Sequence, residues 1–312
     1  MVRNYKKFVS IVLVLALSAV VSPPAFAEQI NSPASPAAAP GESAKANPLD
    51  TGKNILYYLF WTKDAKLESD LANLQKSLDL SSKQMAELEA VGLSQFQATR
   101  SPGNSAKSGD VKAFNASVEA QAAKTNQEIQ SALKDSYPGF RNWIKAWWQG
   151  ERDYRNNAVE SAMKPDAGIT THTIYATQYV PDTSGATEVA LPDKYIKSAN
   201  LGSSSPYKNP PYTVTVRSSA ATLSNVRVEE AGPWNENDNY WDTARRTWNG
   251  RLTLGTPEAY AAFYDNFNNG KDEFGDTVLN PAGIDLSTAA ARAIGLGANK
   301  SGWIVVTFSD LP

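Results

Sequence analysis

Two short segments near the C-terminal end of the sequence carry acids where a polypeptide could use them. Val226-Arg227-Val228-Glu229-Glu230 reads as a strand that ends in carboxylates and runs into Ala231-Gly232-Pro233, a turn. Gly283-Ile284-Asp285-Leu286-Ser287 precedes an Ala-rich helical stretch and then a Val-rich strand, Trp303 to Phe308. A carboxyl group held at a strand end can give or take a proton. Glycosidic cleavage is one chemistry built on such groups, because one acid protonates the leaving oxygen and a second carboxylate acts as nucleophile or base. Plainer roles are also open. Glu230 can be an exposed strand-end acid, and Asp285 or Ser287 can cap the helix that follows.

Between these segments lies a stretch of unusual composition, 234–282. Its first part holds Trp234, Asn235, Asp238, Tyr240, Trp241, Arg245 and Trp248, and its second Tyr260, Phe263, Tyr264 and Phe267. Aromatic faces stack on sugar rings while Asn, Asp and Arg bond hydroxyls, so the first group suits a carbohydrate surface. The three tryptophans have no clean period and fit a small core equally well. The second group recurs at helical spacing and is expected to pack inward. Asp265, Asp272 and Asp276 could offer oxygen ligands to calcium, but their spacing departs from an EF-hand and a solvated acidic loop is expected instead.

Other chemistries are excluded by what the chain lacks. There is no cysteine, so there are no disulfides, thiolate sites or Cys nucleophile. His172 is the single histidine, which leaves a His-based metal site without partners. No Gly-x-Ser-x-Gly elbow, phosphate-binding loop or dinucleotide fingerprint occurs. No cofactor and no metal ion is therefore expected.

The elements that must hold these residues fall into two halves. Asn54 to Met163 has helical periodicity: Leu67, Leu71, Leu74 and Leu78 form one stripe, Met85, Leu88 and Phe96 a second, Val111 to Leu133 a third, and Phe140 to Trp148 a fourth. Four amphipathic helices with short connections predict a bundle or a hairpin pair. After Pro165 the pattern becomes β-rich at Thr170–Val180, Tyr212–Val216, Asn225–Val228 and Trp303–Phe308, with a short helix near Thr288–Ile294. The fold class expected is α+β, an N-terminal helical bundle followed by a mostly β domain.

The order strand–acid–x–Gly-Pro, Ile-Asp-Leu-Ser, Ala-rich helix and closing strand resembles the double-psi β-barrels of the rare lipoprotein A and expansin type. The resemblance covers about Thr171 to Phe308. It implies action on cell-wall polysaccharide, by lytic transglycosylase or glucanase chemistry in some members and by loosening without hydrolysis in others. Carried over by motif, the implied catalytic acids are Glu230, where the family has Asp, and Asp285. The long stretch 234–282 and the lack of a matching histidine in the first half depart from the family and imply a reshaped groove.

Residues 1–27 read as a secretory signal: Arg3, Lys6 and Lys7, then an apolar run Phe8–Val21, then Ala25-Phe26-Ala27 as a cleavage site. Its removal takes the formal charge from −2 to −5, since three basic residues leave with it. Such an acidic chain is not expected to bind nucleic acid or an anionic membrane surface, and no stable membrane insertion is expected after cleavage. Residues 28–52, rich in Ala, Pro and Ser, read as a spacer, 53–165 as the helical domain and 166–312 as the barrel-like domain with its insertion. The expected protein is exported to the cell envelope and meets cell-wall or extracellular polysaccharide, as a glycan-cleaving enzyme or as a non-catalytic binder. Leu80 to Gln84 is also faintly similar to the helix start of small periplasmic chaperones, but an ordinary helix N-terminus is the expected reading. The helical domain is a candidate site for a protein partner.

Overall fold

A computed structural model describes residues 47–99, 110–162, 170–181, 183–193 and 212–308, which lie in one compact unit. The signal and most of the spacer read from the sequence lie outside the described residues. So does Ser101-Pro102-Gly103-Asn104, a turn-forming run that predicts an interruption between the second and third helical stripes.

Among the described residues, five α-helices build the N-terminal half: α1 (Ile55–Trp61), α2 (Ala65–Ser77), α3 (Ser82–Thr99), α4 (Val111–Leu133) and α5 (Tyr137–Ala162). The last four follow the apolar stripes. Asp64 caps α2 by accepting from the Lys66 and Leu67 amides. Ser81 and Gln84 exchange bonds at the start of α3, where the Gln84 amide donates to Ser81 Oγ at 3.2 Å and the Ser81 amide to Gln84 Oε1 at 3.0 Å. That is a capping box, which accounts for the Leu80–Gln84 motif as local structure. Tyr137-Pro138-Gly139 reads as a break between helices, but Pro138 sits in the first turn of α5, where its missing N–H costs nothing.

Helix α1 has no stripe because nearly every side is covered: Ile55, Leu56, Tyr57, Tyr58 and Leu59 are all buried. Gly92 of α3 makes one of these contacts, since a Cβ there would stand 2.9 Å from the Tyr57 amide nitrogen. The chain then passes into β1 (Thr62–Lys63), which pairs in parallel with the last strand of the protein.

That strand, β7 (Ser301–Phe308), closes a six-stranded barrel with β2 (Thr170–Tyr179), β6 (Ala282–Ser287), β3 (Glu188–Ala190), β5 (Thr222–Glu230) and β4 (Thr213–Arg217), in that order around the ring. β4 pairs back onto β7 and completes it. Most neighbours are antiparallel, but β2–β6 and β3–β5 are parallel. Ile174, Ala176, Val189, Val228, Ile284, Leu286 and Val306 fill the interior. Ser287 caps α7 (Thr288–Ala293) by accepting from the Ala290 amide at 3.2 Å, so Asp285, within β6, is not the cap.

The fold is thus α+β, with helices first and a β-barrel after them. The two halves share a core. Tyr175, on the outer face of β2, packs with Tyr58, whose ring also contacts Phe263 and Tyr264 of α6 (Glu258–Asp265). Tyr260, Phe263 and Tyr264 pack inward as their spacing predicts, against the helices as well as their own segment. A buried polar chain runs through this interface: Tyr264 donates to Tyr58 and Tyr58 to Glu151 (2.5 Å), while Lys66 and Arg155 both pair with Glu151 at 2.6 Å. Among the described residues no helix is long and apolar enough to cross a membrane.

Candidate functional site

The pairing register brings the two predicted acids together. Ala190 of β3 lies opposite Asp285 on one side and opposite Glu230 on the other. Asp285 in turn lies opposite Thr177 of β2. Thr177, Asp285, Ala190 and Glu230 therefore form one row across four adjacent strands. Paired residues point to the same face of a sheet, and the alternating neighbours Ala176, Val189, Leu286 and Val228 fill the interior. The row is on the outside of the barrel.

Glu230 reaches this row through an irregularity. The register slips between Val189 and Ala190, so that Glu230, rather than Glu229, faces Ala190. Such a bulge turns the strand end and re-aims its side chain. Glu229 instead pairs with the exposed Arg227 at 2.5 Å. Two strand spacings separate the backbones of Glu230 and Asp285, about 10 Å. Both residues are half-buried. Ala190 between them carries only a methyl group and leaves the space above it open to the flanking side chains.

Three further residues complete the site. Tyr179 and Glu188, each two positions along its strand from the row, share its face, and the Tyr179 hydroxyl donates to Glu188 at 2.9 Å. Burial, then Glu188, then Glu230 and Asp285 raise the Tyr179 phenol above its ordinary range, which keeps it a donor among carboxylates. Thr177 donates its hydroxyl to Asp285. A small cavity opens beside Thr177 toward the helices, lined also by Tyr57, Phe96, Gln178, Asn299 and Lys300. Glu188, Glu230 and Asp285 are half-buried on this face, while the buried Tyr179 and the half-buried Thr177 give their hydroxyl protons to Glu188 and Asp285, so proton transfer lies within the chemistry of the carboxyls.

Tyr179, Glu188 and Thr177 were not singled out from the sequence. A three-residue strand such as β3 is too short to show a period. Thr177 and Tyr179 alternate as strand residues do and gave no sign of facing an acid.

The residues expected to offer a sugar-binding surface lie elsewhere and mostly inside. Trp241 is 2 % exposed and stacks on Phe308 with centroids 4.6 Å apart. Tyr240 is fully buried and donates to the Gly283 carbonyl at 3.0 Å. Trp248 packs edge-on against Phe267. Asn235 is buried between Glu258, to which it donates at 2.8 Å, and the Glu273 amide. Asp238 and Arg245 form a buried ion pair at 2.6 Å. Burial raises the Asp238 carboxyl to about 6, with Arg245 holding it back. Only Trp234 stays partly accessible, its indole donating to Asn280 at 3.1 Å. The sequence left core and surface equally open for these tryptophans, and Trp241 and Trp248 are core. A ring packed on both faces has none left for a sugar.

The loop after α6 also differs from its expectation. Asp272 and Asp276 are each 1 % exposed, not solvated. Burial pushes Asp272 up to about 7.

Comparison with known proteins adds one match. Neither the curated proteins nor the solved structures gave a match to the chain. Residues 166–307, the barrel with its insertion, match the model of a family described as a domain of unknown function, DUF8814.

Proposed function

We propose that this protein is exported to the cell envelope and that its barrel, of the double-psi type, binds and cleaves cell-wall or extracellular polysaccharide, with Glu230 and Asp285 as the acid/base groups. The observation that carries the reading is the register at Ala190, which sets Glu230 and Asp285 on one outer face two strands apart. Glycosidases hold their carboxyls about 5–5.5 Å apart for retention or about 6.5–9.5 Å apart for inversion, and side chains leaning from backbones about 10 Å apart can span such distances. The closed six-stranded ring with two parallel pairs supports the double-psi comparison. One carboxyl protonates the glycosidic oxygen. The other takes a proton from water or from the sugar's own hydroxyl, and Thr177 orients Asp285.

Asp285 already accepts from Thr177, and the tryptophans expected to stack sugars are largely inside. These two facts favour a second reading, a non-catalytic carbohydrate binder on the same face. Incubation of the purified protein with peptidoglycan, followed by chromatography of soluble products, separates the two. The enzymatic reading expects released fragments that fall at least 100-fold in Glu230→Gln or Asp285→Asn, the order of an acid/base contribution. Pull-down without release supports the binder. Release unchanged in both variants removes these acids from the chemistry.

A further inference from the structure

We propose that Asp272 and Asp276 bind a hard divalent cation, calcium by ligand chemistry, and that this cation fastens the loop joining the insertion to the helices. The two aspartates face each other across a tight reversal of the chain. Lys271 and Thr277 form an antiparallel bridge, and the Asp272 amide donates to the Asp276 carbonyl at 3.0 Å. Asp272 Oδ1 accepts from the amides of Phe274 and Asp276, both at 2.9 Å. Its Oδ2 has no donor, and neither carboxylate oxygen of Asp276 has one, although all three atoms are sealed from solvent. A fourth such atom, Glu258 Oε1, lies in the same neighbourhood, on a fully buried residue whose carboxyl is raised by burial and in part by Asp272.

Buried carboxylate oxygens are normally paired, hydrogen-bonded or bound to metal. The nearby Lys271 ammonium offsets part of the Asp276 charge, but it hydrogen-bonds the Gly275 carbonyl at 3.2 Å and no oxygen of Asp276. An oxygen-only donor set calls for a hard cation, and calcium tolerates the irregular shell that a loop provides. Among the described residues no three of His, Cys, Asp or Glu converge on one ion. Two carboxylates therefore set the site, with carbonyl oxygens and water completing it, as in weak extracellular calcium modules.

The position gives such an ion a task. Asn115 of α4 donates to the Gly275 carbonyl at 3.0 Å and accepts from the amide and hydroxyl of Thr277 at 2.9 and 2.7 Å. On the other flank the Glu273 carboxylate accepts from the amides of Glu236 and Asn237. The reversal is thus held by the helical half on one side and by the start of the insertion on the other. A cation between Asp272 and Asp276 stiffens that joint.

The test is calorimetric titration of the EDTA-treated full chain with calcium chloride, with thermal melts in parallel, and it is independent of any glycan. Binding with Kd of about 10⁻⁴–10⁻³ M is expected. The melting temperature should rise by about 3 °C at tenfold excess over Kd. Asp276→Asn should abolish both responses and, in EDTA, melt at or above the wild type because one unpartnered charge is gone. Absence of heat and of any shift in the wild type up to about 10 mM calcium overturns the proposal without recourse to a variant. So does a calcium response that persists in Asp276→Asn.

Discussion

Glu230 and Asp285 stand half-buried on the barrel's outer face among hydroxyl donors, whereas Asp238, Glu258, Asp272 and Asp276 are enclosed within the insertion. Both regions are rich in acid, and a charge count treats them alike. Their physics differs. The carboxyls of the outer row are only half-buried, so they can exchange protons with water. The enclosed group has lost its water and depends on Arg245, on backbone amides or on a bound cation for compensation. Acids of the first kind can be changed at little cost to the fold, whereas an enclosed carboxylate cannot be parted from the group that compensates it without loss.

The largest expected effect comes from stripping an enclosed acid of its partner. Arg245→Met should lower unfolding free energy by about 3–5 kcal/mol, because Asp238 is left buried without the partner that offsets its desolvation. Denaturant titration measures this, and adding Asp238→Asn should restore part of the loss. A cost below about 1 kcal/mol would place the pair with ordinary surface ion pairs and erase the contrast.

A second enclosed group tests the same idea through pH. Burial holds the His172 ring, packed edge-on against Tyr240 and Phe308, down at about 4. The unfolded chain takes up a proton near pH 6.5 and the folded one refuses it. Stability from this group is therefore complete above about pH 6.5 and falls as the pH drops toward 4, by up to about 3 kcal/mol. Unfolding measured at pH 7 and 4.5 should show a shallower fall in His172→Phe than in the wild type. Equal slopes would mean that the ring charges in place.

The smallest effect belongs to the outer row. Glu230→Gln and Asp285→Asn should each shift unfolding free energy by no more than about 1 kcal/mol, as half-exposed positions usually do. A loss of several kcal/mol in either would make it a structural acid like those of the insertion.

Much of this arrangement was legible beforehand. The stripes at Leu67–Leu78 and Val111–Leu133 gave α2 and α4, and β-branched runs gave β2, β4, β5 and β7, because one-sided burial leaves a period. The period vanishes where burial is total, and so Ile55–Leu59 could not be separated as its own helix. Glu230 and Asp285 were named from a motif, yet their neighbourhood depends on register, and no local pattern reveals which strand pairs with which. Trp241 and Trp248 show the converse limit: residue type told what they could bind, and only packing told that they are covered.

The two-residue strand Thr62–Lys63 sets an order of events. Its partner, Ser301–Gly302, lies near the far end of the described chain, and β7 is also what closes the ring through β4. A chain made from its N-terminus has helices α1 to α5 long before the strand that anchors α1's exit exists. Contacts so distant in sequence must overcome a large loop-closure entropy and tend to slow folding. Barrel closure and the locking of the helical arm are thereby a single late step, and a chain shortened before β7 forfeits both at once.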